Sequence, residues 1–338
     1  MLTQKKKNNI IEFYRILFTF VICIYHVGFE NKYNIFTHGY ACVEFFCILS
    51  GYLLYKTFER KGDKMGSIDY LAGRVKRLYP EYVFAAVVAI VFFGIVNPDF
   101  NPVMVITELL MVQNVGLFSG GYNTPTWYIS AMLAASVIIY GLLSVNRNLF
   151  VKVIAPLSVL CGYVYIFKTA GGLESWIIAQ FVSVMLLRVF CGLSLGVIVA
   201  VLAENKTVRK MNTCTAVLIE TACLAFTVYG LITKNDYDSL LVFSFAGLVF
   251  SAVLQKGLLS MKPFEKISGI IGKIALISYA MYLNHRACRF GITMINRSFL
   301  HLGDEWIFIY LAALVVYSVI TYNVINAIVR KLESRKKQ

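Results

Sequence analysis

Stretches of about twenty apolar residues recur along this whole chain, each long enough to cross a hydrocarbon core of roughly 30 Å as a helix. They fall near residues 10–29, 38–57, 79–97, 125–144, 150–168, 176–203, 212–233, 239–257, 268–290 and 305–329. In lipid the backbone must satisfy its own hydrogen bonds, and a helix does so without closing into a barrel. The expected fold is therefore all-α: a polytopic membrane protein of about ten transmembrane helices. Hydrophobic residues make up 59% of the chain, charged residues only 15%, and mean hydropathy is +0.70, which excludes an ordinary soluble domain. No repeat, low-complexity stretch or linker divides the sequence, so residues 1–338 are expected to form one membrane domain with no appended soluble domain.

The formal charge of +14 sits in short clusters between apolar runs and not along one face, which argues for topology and against nucleic-acid binding. With the N-terminus in the cytoplasm, Lys5–Lys7, the cations from Arg60 to Arg77, Arg147 with Lys152, Lys206–Lys210, Lys256–Lys266 and the Arg330–Lys337 tail all lie inside. The opposite loops hold few cations, with Lys32, Lys168 and Lys234 scattered among them. An even number of spans with both termini cytoplasmic follows. Counting the apolar stretch 102–118 as a further span would invert every later loop. Arg286, Arg289 and Arg297 stay unexplained on the outer side, either lining an outer-facing cavity, binding a substrate or snorkelling at the interface.

The basic leader and first apolar run superficially match a secretory signal, but Arg15 interrupts the run, no small-residue cleavage site follows, and the run is long enough to span. It is expected to stay as a first helix. Most of the eight cysteines, such as Cys23, Cys47, Cys191 and Cys223, fall inside apolar runs without a CxxC pair and read as small core residues.

An ionisable side chain within an apolar run is costly and points to function. The first helix carries Glu12, Arg15 and His26 in EFYRILFTFVICIYH. At about 100° per residue, the eleven-residue step from Arg15 to His26 returns to nearly the same angle, three turns further on. Glu12, three residues before Arg15, is placed to hold the guanidinium or offset its burial. A neutral imidazole near a helix end can act as a general base at physiological pH, and His26 is the natural candidate, although lone interfacial histidines are common. His38 and His301 read as loop histidines. No phosphate-cradling glycine loop, HExxH pair or GxSxG elbow is present, and no metal is expected.

Further segments extend the pattern: VEFFCILSGYLL at 43–54, RVKRLYPEY at 74–82, TWYISAML at 126–133 and SYAMYLNH at 278–285. Arg15 and His26 separated by ten residues, Glu44 before Phe45, Phe46, Ser50, Gly51 and Tyr52, the basic Arg74 and Arg77 before Pro80, then Trp127 and the Tyr282–His285 segment appear in an order that resembles acyltransferase family 3. The likeness covers most of the chain and is strongest in its first eighty residues. It departs after Trp127, where many members carry acidic residues and this chain reads TWYISAMLAAS.

The resemblance implies an enzyme that takes an acyl group, usually acetyl, from cytoplasmic acyl-coenzyme A and delivers it to a carbohydrate hydroxyl at the outer face of a cell membrane, as in the bacterial plasma membrane. On that reading Arg74, Lys76 and Arg77 hold the coenzyme phosphates, unless they are simple positive-inside anchors, while Arg15 meets the pyrophosphate or pantetheine region and counts with His26 and Glu44 among the catalytic candidates. His26 either deprotonates the acceptor or carries the acyl group. Glu44 orients His26 or an acceptor hydroxyl, or is a buried carboxylate paired with an arginine. Glu12, Trp127, Tyr128 and His285 are candidate acceptor contacts, with an interfacial aromatic belt as the other reading of Trp127 and Tyr128. Ser50 and Gly51 read as close-packing positions. The implied partners are the bilayer, the coenzyme A donor and a carbohydrate, and a homo-oligomer is compatible. A polysaccharide or lipid-linked sugar transporter would share many spans and buried charges, yet neither paired broken helices nor an inverted repeat is visible. A scaffold whose buried charges only join helices is a third alternative.

Overall fold

The computed structural model describes residues 8–28, 35–96, 100–115, 120–174, 178–179, 182–233 and 237–335. Among the positions on which the predicted topology rests, Lys5–Lys7, Lys32, 97–99, 234–236 and 336–337 lie outside the described residues. The described chain is helical except for one antiparallel pairing, β1 (Ile178–Ala179) with β2 (Val182–Ser183). The helices are α1 (Asn9–Tyr25), α2 (Val43–Lys61), α3 (Ser67–Val96), α4 (Pro102–Leu109), α5 (Trp127–Leu149), α6 (Ala155–Ala170), α7 (Val184–Glu204), α8 (Thr213–Ile232), α9 (Asp238–Leu254), α10 (Lys262–Ile274), α11 (Ser278–Ile295) and α12 (Trp306–Arg335), with a single helical turn at Lys206–Arg209.

Among the described residues, six helical segments are long and apolar enough to cross a membrane. One of them, Thr124–Ala170, runs for 47 residues, about 70 Å at the α-helical rise and more than twice a hydrocarbon core. It breaks at Asn146, whose backbone is non-helical (φ −155°, ψ 92°) and whose Oδ1 accepts from the Leu149 amide at 2.9 Å. Both halves, α5 and α6, pack against α7. α4 has eight residues, too few to span, so the apolar stretch 102–118 does not add a crossing in its described part. The apolar run 268–290 is two helices, α10 and α11, interrupted at Ala275–Ile277. Apolar side chains exposed at helical spacing, such as Leu157, Leu160 and Val164 or Val316, Ile320 and Val324, form the faces that meet lipid in this multi-pass membrane protein.

α2 and α7 form the closest crossing. A Cβ added at Gly51 would sit 2.0 Å from the Leu193 carbonyl oxygen, and one added at Gly196 would sit 2.0 Å from that of Ile48. Glycine at both positions is what lets the two backbones touch. α1 and α11 run side by side in the same direction, Arg15 beside Ser278 and His26 beside His285. Against the largest core cluster α1 buries Tyr14, Phe18 and Ile22, with Phe18 packed on Phe45 at 4.8 Å and on Phe245 at 5.1 Å. A smaller cluster of Cys23, Val27, Met281, Ile307, Tyr310 and Leu314 joins α1 to α11 and α12.

Candidate active site

The start of α1 is fixed by Asn8, whose side chain accepts from the amides of Ile10 (3.1 Å) and Ile11 (3.3 Å) and donates to the Ala252 carbonyl at 2.7 Å. The aromatic face of α1 turns into the core, which leaves Arg15 and His26 on the side facing α11. Arg15 donates to both Glu12 oxygens, at 3.1 and 2.9 Å, and lies 3.4 Å from the Ser278 hydroxyl at the first residue of α11. Arg77 is within electrostatic reach of Arg15, Arg74 and Glu12, so three guanidiniums gather at this end of α1. Arg74 is half-buried against Met132 of α5. Lys76 and Arg77 are both exposed, and of the two it is Arg77 on which the other guanidiniums act.

Three turns further along, His26 is the C-cap of α1 and its ring stacks on His285, with centroids 5.1 Å apart and planes inclined by 23°. His285 is wholly buried. Its Nδ1 lies 2.6 Å from the Tyr282 carbonyl oxygen, which can only accept. Nδ1 therefore donates in this contact, and Nε2 has no hydrogen-bond partner among the described residues. Arg289 donates to the His26 carbonyl at 2.5 Å, and Arg286 lies 4.7 Å over the Phe93 ring. Both positive charges act on both imidazoles. Two of the three arginines that topology leaves unexplained thus flank the histidine pair, while Arg297 is exposed in the wide helical turn after α11.

The pair is held from the side by residues 120–126. Glu108, fully buried at the end of α4, accepts from the amides of Tyr122 (2.7 Å) and Asn123 (2.9 Å). Asn123 Nδ2 donates to the Leu283 carbonyl at 2.9 Å, and the Tyr282 hydroxyl donates to the Pro125 carbonyl. These bonds tie the turn of α11 that carries His285. Tyr282 stands edge-on to Tyr128 at 6.4 Å, and the Tyr128 and Ser50 hydroxyls are 3.0 Å apart.

Across nearly the whole chain, residues 8–323, the sequence matches the family model described as an acyltransferase domain. The chain belongs to acyltransferase family 3. No curated protein and no solved structure matches it significantly.

Within this acyltransferase the remaining motif residues fall in a second buried cluster. Glu44, in the first turn of α2, receives Arg188 Nε on one oxygen and the Tyr163 hydroxyl on the other, each at 2.5 Å. Arg188 also donates to the carbonyls of Leu173 (2.8 Å) and Tyr40 (3.1 Å), and its guanidinium lies 5.4 Å from the Trp127 ring centroid. Of the sequence alternatives for Glu44, this geometry is that of a carboxylate paired with an arginine. Trp127 and Tyr128 are buried, at 7% and 8% exposure, so neither ring is displayed at an interface. His301 is an exposed loop residue as expected. His38 also lies in a turn, as expected, but it is buried, with Nδ1 3.1 Å from Asp238 Oδ1, and Asp238 also accepts from Tyr40 and from the Leu173 amide.

Sequence reasoning passed over Glu108, Arg188 and Asp238. A charged residue inside an apolar stretch is the signal that would have found Glu108 and Arg188. Among the described residues, no group of three His, Cys, Asp or Glu side chains is placed to hold a metal.

Proposed function

We propose that this membrane acyltransferase moves an acetyl group from cytoplasmic acetyl-coenzyme A to a hydroxyl of a cell-surface or exported polysaccharide. The observation that carries the reading is α1 itself: a guanidinium cluster at one end and an imidazole pair at the other, on one face and roughly 16 Å apart along the helix. That separation suits a donor whose charged phosphates and reactive thioester lie at opposite ends of a long arm. Arg15, Arg74 and Arg77 bind the phosphates by charge-assisted hydrogen bonds, with Lys76 at the margin. The thioester reaches His26.

Transfer then joins the acceptor oxygen to the acyl carbon and breaks its bond to sulfur, and the hydroxyl proton ends on the coenzyme thiol. His26 serves by taking that proton as the oxygen attacks, or by carrying the acyl group between donor and acceptor. In this proposal the whole chain acts as one domain of ten spans in a bacterial plasma membrane, with both termini cytoplasmic and His26 towards the outer face.

The test is the O-acetyl content of surface polysaccharide from cells expressing the wild type, Arg15→Ala or His26→Ala, with the membrane level of each protein measured in parallel. Loss of acetyl in both variants at normal protein levels is the expected result. Acetylation unchanged in both would overturn the mechanism.

A further inference from the structure

The pattern of inside cations leaves Arg286, Arg289 and Arg297 over, and the structure separates them. Arg286 and Arg289 are one turn apart on α11, directly after His285, while Arg297 is exposed beyond the end of the helix. A guanidinium offers five N–H donors in a planar fork. Arg289 gives one to the His26 carbonyl and makes no other hydrogen bond among the described residues. Arg286 makes no hydrogen bond or ion pair there at all, and its guanidinium lies over the Phe93 ring, 4.7 Å from the centroid. Glu108 is the carboxylate whose charge acts on Arg286, but its two oxygens are taken by the amides of Tyr122 and Asn123.

The candidate catalytic pair is therefore bordered by two positive charges that make no ion pair among the described residues, with the Glu108 charge acting on Arg286 from a distance. Such charges oppose the positive charge that an imidazole takes on when it accepts a proton. A negative group arriving beside them removes that opposition and meets the fork geometry that arginine offers to carboxylates and phosphates.

We propose that the acceptor glycan is anionic, and that Arg286 and Arg289 hold a carboxylate or phosphodiester close to the hydroxyl to be acylated. The inference rests on the acyl-transfer reading and on His26 lying at the acceptor end. An acceptor of this class is a uronate-containing or a phosphodiester-linked polymer, and a neutral glucan is the wrong substrate.

The test is calorimetric titration of the full-length protein in non-ionic detergent with three probes: a galacturonate tetramer, a glycerol-phosphate tetramer and maltotetraose. One of the acidic probes is expected to bind at least about tenfold more tightly than maltotetraose, and to weaken as salt rises. Preference for galacturonate assigns a carboxylate; preference for glycerol phosphate assigns a phosphodiester. Arg286→Gln should remove most of that preference, and Arg286→Lys should restore part of it. Acidic probes that bind no better than maltotetraose, or a preference that survives Arg286→Gln, overturn the proposal. Because binding is read without turnover, an unchanged O-acetyl content in the His26→Ala cells would sink the chemistry separately.

Discussion

Two of the buried charged clusters in this molecule, around Glu44 and around His26, differ in how completely their polar atoms are paired. Around Glu44 both carboxylate oxygens and all three Arg188 nitrogens have partners, and Trp127 packs on the guanidinium. Around His26 the Nε2 of His285 has no hydrogen-bond partner among the described residues, and Arg286 makes no hydrogen bond there. A rule that flags every buried charge treats the two alike. Their pairing separates them: a closed cluster holds helices, whereas an open one has valences left for a substrate.

The largest effect should come from breaking the closed cluster. Glu44→Ala strands Arg188 in the core and is expected to cost about 3–5 kcal/mol, read as loss of protein from the membrane and a lower melting temperature in detergent. The double variant Glu44→Leu/Arg188→Met should recover much of that stability. A normal melting temperature with abolished acyl transfer would reverse the comparison and make Glu44 part of the chemistry.

Next in size is His285→Asn. Its amide nitrogen can replace Nδ1 in the bond to the Tyr282 carbonyl but supplies nothing at Nε2. Transfer should fall by roughly thirtyfold, as for an acceptor hydroxyl left without its hydrogen-bond partner, with little change in melting temperature. Wild-type activity would show that the ring is there only to hold α11.

A smaller change is expected for Arg74→Gln, which removes one charge from the donor end. The KM for acetyl-coenzyme A should rise by roughly tenfold with kcat nearly kept, as for a lost charge-assisted contact. Smallest of all, Lys76→Ala should stay within about twofold of wild type, because an exposed lysine outside the cluster adds little. A KM effect as large as that of Arg74→Gln would mean that the donor reaches further around α3.

Much of this was legible in the residues. The first helix announced itself because Arg15 and His26 interrupt an apolar run at a spacing that repeats the helical angle, and the structure sets them on one side of α1. Gly51 showed as a packing position and indeed meets the Leu193 backbone. The rest depends on contacts between residues far apart in sequence. His38 is the loop histidine that its sequence suggests, but its burial against Asp238, 200 residues away, could not be read there. Glu108 was hidden by the correct argument that its stretch does not span. The break at Ala275–Ile277 left no mark, because the interrupting residues are themselves apolar and lie in a continuous hydrophobic run.

The Glu12–Arg15 pair also bears on the order in which the chain is made. Arg15 meets Ser278 across 263 residues of sequence, so while α1 is being inserted, its eventual neighbour has not yet been synthesised. The carboxylate three residues before it is already there. α1 thus enters the bilayer with its cation neutralised from within, and can wait for α11 without a partner from elsewhere in the protein.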